Sequence, residues 1–128
     1  MISFTLETDG RLPTGESLGH AIETVDRSTD RAPAYYMINC AHPDHLSQDL
    51  DEDAGWMQRV RGIRANSSRK SHAELDAGHP QELGEQYAEL LRRFPWINVL
   101  GGCCGTDHRH VECISAACHR QSHGVAAA

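Results

Sequence analysis

The apolar residues of this chain follow two periods in turn, and their order predicts strands that alternate with helices. Short runs rich in β-branched and aromatic residues predict four strands, at residues 2–6, 34–38, 60–65 and 97–100. Between and after these runs, apolar residues recur at spacings of three and four, which indicates amphipathic helices. Strands and helices in this order favour an α/β fold built from βαβ units around a parallel sheet.

The clearest helix begins at Pro80, a residue type favoured in a first turn, and stops before Pro95. Its apolar face consists of Leu83, Tyr87, Leu90, Leu91 and Phe94. Another helix is predicted around residues 18–25, a short one opens at Pro43, and the last begins at Asp107. The apolar pattern ends at Cys118, so we expect one domain over residues 1–118 and a disordered tail over 119–128.

Composition and charge exclude several classes of function. The chain has 128 residues, with 12 Lys and Arg against 18 Asp and Glu, for a net charge of −6. This charge opposes nonspecific binding to nucleic acid or to an anionic membrane surface. No apolar run could span a bilayer, and the N-terminus lacks the features of a signal peptide. We therefore expect a cytoplasmic protein whose five cysteines are reduced.

The most informative stretch is the glycine-rich run at residues 101–106, which follows the fourth strand and contains Cys103 and Cys104. Neighbouring side chains of a strand point to opposite faces, so adjacent cysteines share one site only where the backbone turns. The glycines permit such a turn. With Thr106 as the expected N-cap of the last helix, the helix N-terminus would favour the thiolate form of both cysteines.

Asn39 and Cys40 follow the second strand in the same way. Ligands bind at the carboxyl ends of strands in parallel sheets and α/β barrels alike. The sequence thus predicts a metal site at this edge, formed by Cys40, Cys103 and Cys104. Asn39 and Asn66 also end strands there, and their amides could contact a substrate, support the site through hydrogen bonds or form turns.

Three protein ligands with one open position describe a catalytic rather than a structural zinc. Zinc makes a coordinated thiol ionise at neutral pH, which converts a substrate thiol into a nucleophile. Such a site would suit attack by substrate sulfur on an activated carbon.

Three segments together resemble the C-terminal half of the homocysteine S-methyltransferase family. They are the run 101–106, Ile38-Asn39-Cys40 and the opening Ser3-Phe4-Thr5-Leu6. The resemblance implies a zinc-dependent (β/α)8 TIM barrel, of which this chain covers about four C-terminal β/α units. Residues 1–118 would form the C-terminal half of a homocysteine-binding domain.

The same resemblance implies that Cys40, Cys103 and Cys104 bind Zn²⁺ and that homocysteine thiolate takes the fourth position. A sulfonium donor such as S-methylmethionine would supply the methyl group, and methionine would be the product. Independently of the resemblance, the position of Asn39 and Asn66 at the ends of strands predicts that they contact the substrate.

A complete barrel needs eight strands and roughly 250 residues, about twice what this chain supplies. In the family, the other half carries an Asp-Gly-rich loop and further substrate contacts. Four strands alone would leave two unpaired edges and an uncovered barrel interior. We therefore expect self-association or pairing with a complementary N-terminal half.

Two alternatives to an enzyme remain at this point. The half barrel could be a non-catalytic module that binds zinc and thiols, or a fourth ligand such as His42, His108 or Cys113 could close a structural site. Cys113 and Cys118 lie on the last predicted helix and are interpreted as buried apolar thiols.

Overall fold

A computed structural model describes residues 1–46, 50–70 and 76–126, with residues 121–126 described by their backbone alone. Its four strands are β1 (Ile2–Thr5), β2 (Tyr36–Asn39), β3 (Val60–Ala65) and β4 (Val99–Gly102). They form one sheet in sequential order, and every neighbouring pair is parallel. The predicted α/β fold with a parallel sheet is confirmed.

Four α-helices and one 3₁₀ helix connect and follow the strands. They are α1 (Leu18–Thr29), α2 (Pro43–Leu46), the 3₁₀ helix Gly55–Arg59, α3 (Pro80–Arg93) and α4 (His108–Ala126). Ser17 caps α1 by accepting a hydrogen bond from the His20 N–H, and Pro80 starts α3 as predicted. Within the described residues, every helix is too short or too polar to cross a membrane.

The sequential strand order determines where the core lies. Parallel crossovers are right-handed, so connections that always advance in one direction place their helices on the same face of the sheet. The core between sheet and helices includes Ile22, Ile38, Ile63, Leu83, Tyr87 and Ile114, all buried. The opposite face carries Thr5, Asn39 and Arg64 side by side in register. Among the described residues, no strand pairs with the outer edge of β1 or of β4.

Two predicted boundaries differ from the structure. The fourth strand was expected at residues 97–100 but runs from Val99 to Gly102. A turn at Pro95 and Trp96 precedes it, and the Ile97 N–H closes this turn by donating to the Phe94 carbonyl, so bonding to β3 begins only with the Asn98 N–H. The last helix begins at His108 and its backbone stays helical to Ala126, since no proline follows Cys118 to stop it. The division into a domain at 1–118 and a disordered tail at 119–128 stays a prediction.

Asp26 of α1 joins this helix to the first half of the sheet. Its carboxylate accepts hydrogen bonds from Arg59 Nε at 2.9 Å, from Arg59 Nη2 at 3.0 Å and from the Tyr36 hydroxyl at 2.9 Å. Both charged side chains are largely buried. The bonds from Arg59 lower the pKa of Asp26 below its ordinary value of 3.8.

We expect Asp26→Asn to lower the free energy of unfolding by about 1–3 kcal/mol at pH 7, because a largely buried guanidinium loses its counter-charge. A group with a lowered pKa stabilises the fold above its unfolded pKa and loses that effect as the pH falls. The difference in the free energy of unfolding between Asp26→Asn and wild type should therefore become smaller below about pH 4. Urea denaturation of both proteins at pH 7 and at pH 3 measures this difference, with exposed Glu23→Gln on α1 as control. An equal loss at both pH values would contradict this account.

Candidate metal centre

The three cysteines come from strands that are not neighbours. Cys40 follows β2, Cys103 and Cys104 follow β4, and β3 lies between them. Two strands separated by a third are about 10 Å apart. Nevertheless, Cys40 Sγ lies 2.8 Å from Cys103 Sγ, and Cys103 Sγ lies 3.9 Å from Cys104 Sγ. All three sulfurs fall within 4.8 Å of one another, so the two loops close over the end of β3.

The backbone leaves the extended conformation at both loops. Cys40 has a φ of 61°, in the left-handed region that residues with a side chain seldom adopt, and its N–H donates to the Arg64 carbonyl at 3.0 Å. In the second loop, Gly105 supplies the left-handed residue with a φ of 78°. Thr106 closes this loop, because its hydroxyl donates to the Cys103 carbonyl at 2.6 Å.

Two expectations about this loop were wrong. Gly101 and Gly102 do not form the turn, since both continue β4. Gly102 is needed for space, because a Cβ there would lie 2.2 Å from Thr106 Oγ1. Thr106 is also not the N-cap of α4. Asp107 has that position, and its Oδ1 accepts the Arg109 N–H at 2.9 Å.

The donor set fits a thiophilic ion such as zinc. A tetrahedral zinc with Zn–S bonds near 2.3 Å separates its sulfurs by about 3.8 Å. The Cys103–Cys104 separation matches this value, and the shorter contact of Cys40 requires its sulfur to move outward by about 1 Å. All three residues are half-buried, which leaves one side of the cluster accessible. Burial and the neighbouring Cys103 thiol raise the pKa of Cys40. A cation among the sulfurs would offset both effects.

The residues considered as a closing ligand lie elsewhere. Among the described residues, no fourth His, Cys, Asp or Glu joins the cluster. His42 is buried, and its Nδ1 accepts the Asp44 N–H at 3.2 Å. Burial lowers the pKa of His42 to about 4. Cys118 is half-buried against the core, and burial raises its pKa. A raised pKa keeps the thiol neutral, which agrees with its interpretation as an apolar thiol.

The two asparagines have different surroundings. The Asn39 amide oxygen accepts a hydrogen bond from the Ser3 hydroxyl, and Asn39 Nδ2 donates to Thr5 Oγ1 at 2.7 Å. Asn66 is 3% exposed and lies between the two cysteine loops. Its Nδ2 donates to the Cys40 carbonyl at 2.8 Å, and its Oδ1 accepts the Cys104 N–H at 3.2 Å. That either side chain binds substrate stays a prediction.

Two residues beside the site, Tyr87 and Arg64, have positions in the structure that the sequence prediction did not include. Tyr87 was identified only as an apolar helix position, yet its buried hydroxyl accepts the Ala65 N–H at 2.8 Å and donates to the Gly101 carbonyl at 2.5 Å. A tyrosine on a buried helix face signals such a partner, because its hydroxyl must be satisfied. Arg64 is one of two arginines in a run that predicts a strand, and residue type alone gave it no role at the site. Alternation with buried Ile63 would have placed it on the open face beside Asn39.

Comparisons with known proteins cover nearly the whole chain. The sequence profile of the family described as homocysteine S-methyltransferase matches residues 1–118. A methionine synthase from Mycobacterium leprae (strain TN) is 26% identical over 132 residues, which is 97% of this chain and 10% of that protein. The chain therefore spans about a tenth of the length of this curated relative. No solved structure matches.

Proposed function

This chain belongs to the homocysteine S-methyltransferase family, and from that membership we propose that it supplies the zinc-binding half of a site that methylates homocysteine. A sulfonium compound such as S-methylmethionine would donate the methyl group, and methionine would be the product. The observation that carries the proposal is the convergence of Cys40, Cys103 and Cys104 from two strand ends, with one side accessible.

The three thiolates would hold the ion at the carboxyl end of the sheet. Bound zinc would keep the homocysteine thiol ionised at neutral pH, and the thiol proton would pass to water. The substrate sulfur uses a lone pair to form a bond to the methyl carbon. The bond from this carbon to the donor sulfur breaks, and its electron pair stays on the donor sulfur, which loses its positive charge.

The open face of the sheet would contact the rest of the substrate. Asn39 lies directly before Cys40, and its amide has a further N–H and lone pair beyond the bonds to β1. Arg64 is exposed and pairs in register with both Asn39 and Gly101. Its guanidinium makes no hydrogen bond or ion pair with the described residues. We propose that its guanidinium binds the carboxylate of homocysteine, in the planar geometry that suits this pair.

We expect Arg64→Met to weaken homocysteine binding about 10- to 100-fold while zinc binding stays unchanged, since a charge-assisted hydrogen bond contributes about 1.5–3 kcal/mol. Titration calorimetry on the zinc-loaded protein measures this. A thiol without a carboxylate should bind both proteins equally. The matched control is Arg61→Met, on the same strand but at its other end. If Arg64→Met weakens the binding of both thiols equally, Arg64 does not bind the carboxylate.

We further propose that a second set of four β/α units completes the (β/α)8 barrel. This would pair the outer edges of β1 and β4 and cover the face that carries Asn39 and Arg64. The partner would be a second copy of this chain or a complementary N-terminal half. Native mass from analytical ultracentrifugation distinguishes these partners.

Transfer of an isotope-labelled methyl group from S-methylmethionine to homocysteine tests the function. The assay compares the chain alone, the chain with the N-terminal half of a homologous domain, and both after zinc removal by a chelator. Zinc-dependent labelled methionine would support the proposal. The open sheet edges favour one other candidate, a non-catalytic half barrel that binds zinc and thiols. Zinc and homocysteine binding without transfer, even after the other half is added, would favour that candidate instead.

A further inference from the structure

The end of β3 is the surface over which the two cysteine loops close. Its backbone bonds to both loops: the Arg64 carbonyl accepts the Cys40 N–H at 3.0 Å, and the Ala65 carbonyl accepts the Cys103 N–H at 2.9 Å. Beyond the strand, the Ser67 N–H donates to the Cys104 carbonyl at 3.1 Å. Each of these bonds fixes one loop against β3, and none joins one loop to the other.

Asn66 is different, because its side chain reaches both loops at once. It donates to the Cys40 carbonyl and accepts the Cys104 N–H. One planar amide therefore connects Cys40 in the first loop with Cys104 in the second. Its own N–H also donates to the Ala41 carbonyl at 3.1 Å, which fixes its backbone beside the first loop. With 3% of its surface exposed, water competes little for these bonds.

Only an amide of this length satisfies both loops. The Cys40 carbonyl needs a donor and the Cys104 N–H needs an acceptor, and an asparagine side chain carries one of each on a single rigid plane. Aspartate lacks the donor and alanine lacks both. The bond to the Cys40 carbonyl also helps to hold the left-handed backbone at Cys40, because such a conformation persists only where surrounding contacts stabilise it.

We propose that Asn66 is a positioning residue that holds the Cys40 and Cys104 loops at metal-binding distance before the metal arrives. The inference rests on the proposed zinc site and adds to it the residue that sets the spacing of its ligands. Hydrogen-bonded partners of metal-binding residues commonly contribute 10- to 100-fold to metal affinity. A preset spacing raises affinity because less conformational freedom is lost on binding.

The test compares Asn66→Ala with wild type and with Asn98→Ala, an exposed asparagine before β4 that serves as the matched control. We expect Asn66→Ala to bind zinc about 10- to 100-fold more weakly in a chelator competition, and Asn98→Ala to bind like wild type. Cobalt(II) gives a readout that a loss of fold stability alone would not change. At saturation, the sulfur-to-cobalt charge-transfer band of Asn66→Ala should lose intensity, because one loop no longer presents its thiolate.

Hydrogen exchange on the metal-free wild type tests the same contact without any substitution. The Cys104 N–H should be protected, since Asn66 Oδ1 accepts it, and exchange at the rate of an open loop would overturn the proposal. Unchanged zinc affinity and an unchanged cobalt spectrum in Asn66→Ala would also overturn it while leaving the proposed function intact. A wild-type chain that binds neither metal would instead contradict the proposed function itself.

Discussion

Cys103→Ser should lose zinc binding almost completely. Cys103 is central in the cluster, with its sulfur near those of both Cys40 and Cys104. A serine hydroxyl stays protonated at neutral pH and is a poor ligand for a thiophilic ion, so two thiolates remain from two separate loops. We expect affinity to fall more than about 100-fold, beyond the usual effect of an outer hydrogen-bonding partner.

Metal analysis after dialysis against a weak chelator, with chelator competition for the affinity, measures this loss. The control is Cys113→Ser, which replaces a half-buried cysteine of α4 outside the cluster and should leave the zinc content unchanged. If the completed barrel transfers methyl groups, this activity should be lost together with the metal in Cys103→Ser and retained in Cys113→Ser. Undiminished zinc in Cys103→Ser would mean that the metal sits elsewhere.

Tyr87→Phe should cause the largest loss of fold stability among the conservative substitutions considered. The Tyr87 hydroxyl joins the Ala65 N–H of β3 to the Gly101 carbonyl of β4, and the side chain is fully buried. Phenylalanine fills almost the same volume but removes the hydroxyl to which both backbone groups bond. At about 1–3 kcal/mol for each such group, we expect the free energy of unfolding to fall by about 2–4 kcal/mol.

Urea denaturation of the metal-free proteins measures this difference. Tyr35→Phe is the matched control, because the Tyr35 hydroxyl makes no hydrogen bond to the described residues, and its effect should stay within about 0.5 kcal/mol. A loss below about 0.5 kcal/mol in Tyr87→Phe would show that water replaces the hydroxyl between the strands.

The predicted elements agree with the structure where one local signal dominates. β3 has its predicted bounds of Val60–Ala65 although two arginines and a glycine interrupt it, because Ile63 and Ala65 face the core and both arginines are exposed. α3 begins at Pro80 and ends at Arg93, before Pro95, as predicted. In both elements the spacing of apolar and charged residues already indicates most of the buried positions.

The cysteine loop shows where local signals fall short. Glycine permits turns, so Gly101, Gly102 and Gly105 all indicated a turn within the run at 101–106. In the structure, Gly101 and Gly102 remain in β4, and Gly102 is required by the Thr106 side chain, a contact that exists only after the loop has closed. The roles of Tyr87 and Asn66 depend in the same way on residues distant in sequence. Residue type and spacing indicated which cysteines could share a site, and the contacts that bring them together arise from the tertiary fold.

X-ray absorption at the zinc edge, on the zinc-loaded chain with and without homocysteine, tests whether three cysteines of this chain bind zinc and leave one position for a substrate thiol. We expect three sulfur neighbours near 2.3 Å with one lighter atom, changing to four sulfurs when homocysteine is added. Fewer than three sulfurs before addition, or a complete ligand set that homocysteine leaves unchanged, would contradict the account.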